Sequence, residues 1–405
     1  MNKNRLDLLR IDILNHPLLE KNTTFSLVAS QRVRSDNHDE LTHLAGPIWI
    51  NNVNTIVGRN ASGKSLLIQL ITGISNLLLA SISIDQTNLN NALIGNNPIK
   101  VRAYLFGADK QLYMDEIEFS RNPKANEKWQ ITSEVISSKK INSSLSRSKI
   151  FDFSTSKVIL DRDSLDTLQK SLLAPDDSMM RSVIIQNDYE TNVTIDTNFL
   201  TNRNEPLIAI GTKNFIPSAL LHYLDPTIEK LTIKQIDNKT PYYELKFINN
   251  EDIITDNIGT LEYYLSSGTV KGISLYFLVT SALIDGGTIF IDELENHFNL
   301  AIVRTFIEFF TNPKININRA TLVFSTHYAE LLDDLTRGDQ IYVARRTDGL
   351  ISIDRYSKIA DRQDINRAEV FMSDYLGGTA PDYETYLDLK KSTLEAIKES
   401  GSVDA

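Results

Sequence analysis

The chain has 405 residues, with 42 Lys+Arg against 52 Asp+Glu and a net charge of −10, which argues against a generally basic nucleic-acid binder. At about 150 residues per domain this length allows two or three domains, or one large domain with an insertion. Hydrophobic and charged contents of 41% and 23% exclude wholesale disorder, and the absence of cysteine excludes disulfides, thiolate metal sites and thiol nucleophiles.

The first residues, MNKNRLDLLRIDIL, place charges inside the apolar stretch and offer no small-residue cleavage site, so they do not read as a secretory signal. Alternation over 5–30 predicts two strands around Pro17, and 31–46 reads as polar loop. Asn54-Thr-Ile-Val predicts a short buried strand that ends in a glycine-rich turn. The uncharged run Ser65 to Ile84 is long enough to span a bilayer, but Gln69, Thr72, Ser75, Asn76, Ser81 and Ser83 interrupt it. Since it follows a phosphate-binding motif, a buried helix of an α/β core is expected. The protein is therefore expected to be cytoplasmic, with no membrane partner. Residues 99–120 predict a hairpin around Gly107-Ala-Asp.

From 121 to 215 the composition shifts to Ser, Asn, Lys and Asp without a sustained period, which predicts an inserted, largely helical or irregular subdomain. Within it, Lys124, Lys128, Lys139, Lys140, Arg147 and Lys149 surround Trp129. This stretch fits a contact to nucleic acid or an acidic partner, or a solvated face of the insertion, and the last reading is favoured. Residues 228–256 are strand-like. A helix over 269–284, a strand at Thr288–Ile291, a helix over 299–311 and a strand from Thr321 to Ser325 follow. Apolar strands alternating with helices predict a parallel sheet covered on both faces. After Gly377-Gly378, a helix over 381–399 places Tyr383, Tyr386, Leu387 and Leu394 near helical spacing, which predicts docking on its own core. The expected divisions are 1–120, 121–215, 216–376 and 377–405.

Gly58-Arg59-Asn60-Ala61-Ser62-Gly63-Lys64-Ser65 matches G-x-x-x-x-G-K-S, with a strand before it and a helix after it. The glycines let backbone N–H groups turn toward phosphate oxygens. Lys64 is suited to the β- and γ-phosphates and the Ser65 hydroxyl to Mg²⁺. The strand Thr288-Ile-Phe-Ile delivers Asp292, a candidate magnesium ligand through water, and Glu293, a candidate base for an attacking water. His327 follows another buried strand, where an imidazole is able to sense the phosphate and position water. Leu265-Ser266-Ser267-Gly268-Thr269 opens a helix 26 residues before Asp292, and a Ser-Gly turn at a helix N-terminus is either an ordinary cap or a second anion site.

The order P-loop, Leu-Ser-x-Gly, Asp-Glu, His resembles the ABC-type ATPases, including the SMC and DNA-repair branch. Leu265-Ser-Ser-Gly-Thr269 and Asp292-Glu-Leu-Glu-Asn-His297 are most similar to compact AAA-family ATPases of the abortive-infection and OLD-like type. The resemblance covers residues 1–120 and about 217–376. It implies an α/β P-loop NTPase with an ABC-type head fold: a mixed or parallel sheet covered by helices, and an N-terminal antiparallel β subdomain beside the insertion. It further implies ATP with Mg²⁺ sandwiched between two protomers, with Ser266 and Gly268 acting in trans. The implied role is anti-phage defence, as in PARIS-type two-component systems, with a separately encoded toxin or nuclease as effector. A DNA-binding ATPase clamp is the alternative. Gln69, Gln111 and Gln130 all remain open for the family's glutamine loop. Leu-Ser-Ser-Gly-Thr argues against a transporter, and the lack of heptad arms argues against a full SMC protein. Asp333-Asp334 reads as a solvated helix face, and Arg345-Arg346 as surface.

Overall fold

A computed structural model describes residues 4–122, 128–142, 145–191, 195–196, 216–234, 242–296, 298–360, 366–377, 379 and 383–401. Lys124, His297, Gly378, part of the 121–215 segment and the first two residues of the expected tail helix lie outside the described residues.

Strands β1 (Arg5–Ile13) and β2 (Thr23–Ser26) pair antiparallel around Pro17. β3 (Leu41–Ala45) and β4 (Ile48–Asn51) form a small hairpin, so the expected 31–46 loop already holds a strand. β5 (Val53–Val57) is buried at every position and feeds the glycine-rich turn and helix α1 (Lys64–Leu79). The expected hairpin follows as β6 (Ile99–Gly107) and β7 (Gln111–Asn122).

The segment after it corrects the expectation of a largely helical insertion. β8 (Lys128–Lys140) runs antiparallel along β7 and is followed by β9 (Lys157–Asp161), so the described part extends the N-terminal sheet. Its alternation is hard to see because Glu134, fully buried, takes an inward position between Ile131 and Ile136. A register shift between Glu118 and Phe119 breaks the period further. Helix α2 (Met180–Gln186), β10 (Glu190–Thr191) and β11 (Ile195–Asp196) complete this region.

β12 (Ile228–Lys234), β13 (Tyr242–Phe247) and β14 (Ile253–Thr255) make a separate small sheet. Then come α3 (Ser267–Asp285), β15 (Thr288–Ile291), α4 (Leu300–Thr311), β16 (Thr321–Thr326), β17 (Ile341–Thr347), β18 (Leu350–Arg355) and α5 (Tyr383–Gly401).

The larger sheet has the order β10-β1-β6-β7-β8-β9 with β2 on β1, and every pair except β1 with β10 is antiparallel. The central sheet has the order β11-β15-β16-β5-β17-β18, parallel until the antiparallel edge strand β18. Side chains alternate across a strand, so β15 sends Phe290 to one core and Ile289 and Ile291 to the other. The first core joins α1 to β1, β6 and β7, which places α1 between the two sheets. The second is closed by α3 and α4. A third cluster ties β12–β14 to Leu265, Val270 and Ile273, and so holds the start of α3.

Among the described residues one helix, α3, is long and apolar enough to cross a bilayer by length and composition. Its buried residues, such as Ile273, Leu275 and Val279, belong to the two cores just described. The tail helix differs from expectation: every described side chain from 384 to 397 is exposed, Leu387 and Leu394 included. Asp388, Lys390, Lys391 and Glu395 surround these apolar positions, and leave them too narrow a stripe to bury.

Candidate nucleotide site

The turn from β5 to α1 is closed too tightly for side chains at its two glycines. A Cβ on Gly58 would run into Ser62 Oγ and the carbonyl of Ala344, and one on Gly63 would overlap Ile351 of β18. Gly63 also has φ +95°, a region costly for any L side chain. Between them Asn60 and Ala61 are exposed and Arg59 is half-buried, while the Ser62 hydroxyl is buried without a hydrogen-bond partner.

Lys64, the first residue of α1, is 5% exposed. Its Nζ donates to the carbonyls of Gly58 at 2.8 Å and Arg59 at 3.1 Å, and lies 3.5 Å from His327 Nδ1. An ammonium only donates, so Nδ1 is the acceptor and Nε2 carries the hydrogen toward Glu293 Oε1, 3.4 Å away. Burial pulls the Lys64 pKa below its ordinary value, and Asp292, Glu293 and Glu295 pull it part of the way back. Among the described residues Lys64 forms no ion pair. Ser65, next on the helix, is exposed.

β15 and β16 lie side by side, so Asp292 and Glu293 end one strand beside Ser325, Thr326 and His327 at the end of the other. Ser325 joins them. Its hydroxyl donates to Asp292 Oδ1 and accepts the Glu293 backbone N–H at 2.7 Å. Glu293 sits at φ +51°, so that bond holds a residue in a sparsely populated conformation. Glu295 accepts the His327 backbone N–H through Oε1, while its Oε2 is buried without a partner. Sequence reasoning passed over both residues. The available signals were a serine closing the apolar run Thr321-Leu-Val-Phe and a carboxylate two positions beyond Glu293.

The start of α3 is built around its own cap. Ser266 is its N-cap, with Oγ accepting the Thr269 N–H at 3.0 Å and lying 2.7 Å from Thr269 Oγ1. Ser266 and Ser267 are exposed and Gly268 half-buried. No hydrogen bond among the described residues joins Ser266 or Gly268 to residues 58–65. Other sequence candidates are spent elsewhere. Asp333 Oδ1 accepts the Arg367 N–H, Asp334 pairs with Arg304, and Arg345 pairs with Asp354. In the basic stretch Lys128 pairs with Asp85, Lys139 donates to the carbonyls of Lys149 and Asp152, and Trp129 is buried in the core.

The sequence matches, over residues 53–333, the model of a family described as "AAA domain, putative AbiEii toxin, Type IV TA system". The chain belongs to this family. The matched span holds the glycine-rich turn, the start of α3 and the ends of β15 and β16, so all the clustered residues are AAA-domain residues. No protein with a curated description matches the chain. Among solved structures it is similar to an SMC head bound to the C-terminal winged-helix domain of ScpA, with 12% identity, TM-score 0.42, and coverage of 86% of this chain and 96% of that one. It is also similar to the recombination mediator RecF with ATP, at 12% identity, TM-score 0.36, and coverage of 87% and 100%.

Proposed function

We propose that this AAA-domain protein is a cytoplasmic Mg²⁺-dependent ATPase whose ATP-bound dimer gates a partner effector in abortive-infection-type defence against phage. The observation that carries the ATPase reading is a buried, ion-pair-free Lys64 beneath a glycine cradle, linked through His327 to Glu293. Lys64 makes no direct ion pair among the described residues, although Asp292, Glu293 and Glu295 act on it through space. A phosphate would therefore supply its first contact anion, and the unpartnered Ser62 hydroxyl would add a donor.

Ser65 and Asp292 would hold Mg²⁺, which neutralises phosphate charge when bound. The described residues contain no cluster of three acidic or histidine ligands, which suits an ion that takes its remaining ligands from phosphate and water. Glu293 accepts the proton of the attacking water, His327 orients Glu293 against Lys64, and Ser325 fixes the Asp292 carboxylate and the Glu293 backbone. Exposure of Ser266 beside half-buried Gly268 supports action on the ATP of a second copy. A DNA clamp is less well supported, because Lys128, Lys139 and Trp129 of the basic stretch have partners within the fold.

A mixing experiment tests the dimer. Asp is as good a cap as Ser, so Ser266→Asp preserves the start of α3 while facing the partner's phosphate with a negative charge. Mixed with Lys64→Ala, it leaves one site of each mixed dimer with an intact P-loop and an intact Ser266. Random pairing then restores up to about a quarter of wild-type sites. No recovered hydrolysis and no ATP-dependent association, despite proven subunit exchange, would refute action in trans.

A further inference from the structure

A second polar cavity lies where the edge strand β18 meets β2. Its volume is about 440 Å³, within the range of about 300–1,000 Å³ usual for small-ligand sites. Five cationic side chains line it (Arg10, Lys21, Arg147, Arg355 and Lys358) against two carboxylates, Glu20 and Asp354. Asp354 is already paired with Arg345 at 2.7 Å.

How these cations are held decides what they can do. Arg355 is only 7% exposed. Its Nε donates to Tyr342 Oη at 2.7 Å and its Nη2 to the carbonyls of Ser26 and Val28, so the guanidinium is rigid. Its third nitrogen, Nη1, makes no hydrogen bond among the described residues. Among the described residues the ammonium groups of Lys21 and Lys358 have no partner either, and both side chains are exposed. Arg147 is anchored through Nη1 to the carbonyls of Ser30 and Gln31 at 3.0 and 2.8 Å. Arg10 is taken by Asp12 and packs over Phe151, 4.8 Å from its centroid. Phe151 and Tyr342 are the aromatic lining.

A preorganised buried guanidinium flanked by two free ammonium groups is a receptor for a multiply charged anion, because charge-assisted bonds to phosphate oxygens satisfy all three. The aromatic lining suits a ligand that also carries a flat ring, and the volume suits a small molecule. We propose that this cavity is a second anion site of the chain, which binds the phosphates of a small nucleotide independently of the Gly58–Ser65 turn.

Calorimetry of the full chain with inorganic pyrophosphate tests this. The wild type should bind at two sites, with one lost in Lys64→Ala and the other in Lys21→Glu/Lys358→Glu. Losing two charge-assisted bonds should weaken the cavity site by about 100-fold or more. Both lysines are exposed and unbonded, so the double variant should unfold like the wild type, and Lys21→Gln/Lys358→Gln should fall between the two. A charge-reversed protein that titrates like the wild type overturns the proposal, as does loss of all binding in Lys64→Ala. Survival of both sites in Lys64→Ala would count against the P-loop reading and leave the cavity standing. In the Lys64→Ala protein, ADP should displace pyrophosphate. A 5′-phosphorylated oligonucleotide that displaces it at concentrations where ADP does not would overturn the small-ligand assignment.

Discussion

Replacing Ser325 with alanine removes a hydroxyl that serves two elements at once. The group is fully buried, donates to the Asp292 carboxylate and accepts the backbone N–H of Glu293. A hydrogen bond to a charged group contributes about 1.5–3 kcal/mol, and an abandoned buried donor costs about 1–3 kcal/mol. The terms overlap, so the expected loss in unfolding free energy is about 2–4 kcal/mol. The effect on turnover is a separate expectation. Glu293 is held at φ +51°, and without its N–H bond the residue is free to relax toward a commoner conformation. A displacement of about 1 Å in a catalytic group lowers turnover about 100-fold, so kcat should fall by about 10- to 100-fold with a smaller change in KM. Urea unfolding and phosphate release, measured on the same preparation, read the two effects. Ser274→Ala on α3 is the control, since that hydroxyl only returns to the Val270 carbonyl at 3.2 Å, and it should lower stability slightly without touching kcat. Normal turnover in a destabilised Ser325→Ala protein would show that the serine merely supports the fold, and the positioning argument would be wrong.

Glu293→Gln keeps the shape but removes the base, so phosphate release should slow by about 10²–10⁴-fold with nucleotide still bound; near-normal turnover would assign the proton to another group. Asp115 is completely buried with neither carboxyl oxygen bonded, and burial, then Glu134, push its pKa well above the usual range. The stabilisation from its native proton is full below the unfolded carboxyl's pKa of about 3.9 and is lost as pH rises through the raised native value. Asp115→Asn should therefore stabilise the protein by about 1 kcal/mol or more at pH 8 and by less at pH 5, and equal gains at both would refute the shift. Removing residues from 383 onward should leave the unfolding free energy of the rest, read by urea titration, within about 0.5 kcal/mol, because the described side chains of α5 are exposed; a larger loss would show that the helix docks.

The middle of the central sheet was legible because β5, β15 and β16 are short apolar runs followed by a turn or a polar cluster with its own meaning. Val53–Val57 before Gly58 and Thr288–Ile291 before Asp292 are the clearest cases. β11, two residues inside the expected insertion, and the edge strand β18 were not legible. The N-terminal sheet was half legible. β6 alternates core residues at Ile99, Val101, Ala103 and Leu105 and β7 at Ile117 and Phe119, whereas β8 spends an inward position on Glu134, which Arg162, Ser178 and the Met179 N–H satisfy. No pattern within residues 128–140 reveals partners at 162–179. Ser325 and Glu295 escaped for a related reason: their meaning lies in the neighbouring strand, which local periodicity does not see. The tail helix failed differently. Its spacing is helical and the helix forms, but spacing alone does not say whether a surface waits to receive it.

The overlap that forbids a side chain at Gly63 also gives the edge hairpin a grip on the phosphate loop. Ile351 is 3% exposed, fills the space under Gly63 and bridges Leu19, while its strand runs on to Arg355. β18 is the last strand of its sheet, and at Ile351 its outer edge is taken by the chain's own 18–20 segment, whose Leu18 carbonyl and Glu20 N–H bond the Ile351 backbone. A tug on this hairpin is thus felt first by the loop that cradles phosphate. Ile351 behaves as a set-screw, and its size calibrates how open that loop stands. A survey of Ile351 replacements graded by volume would trace that calibration directly.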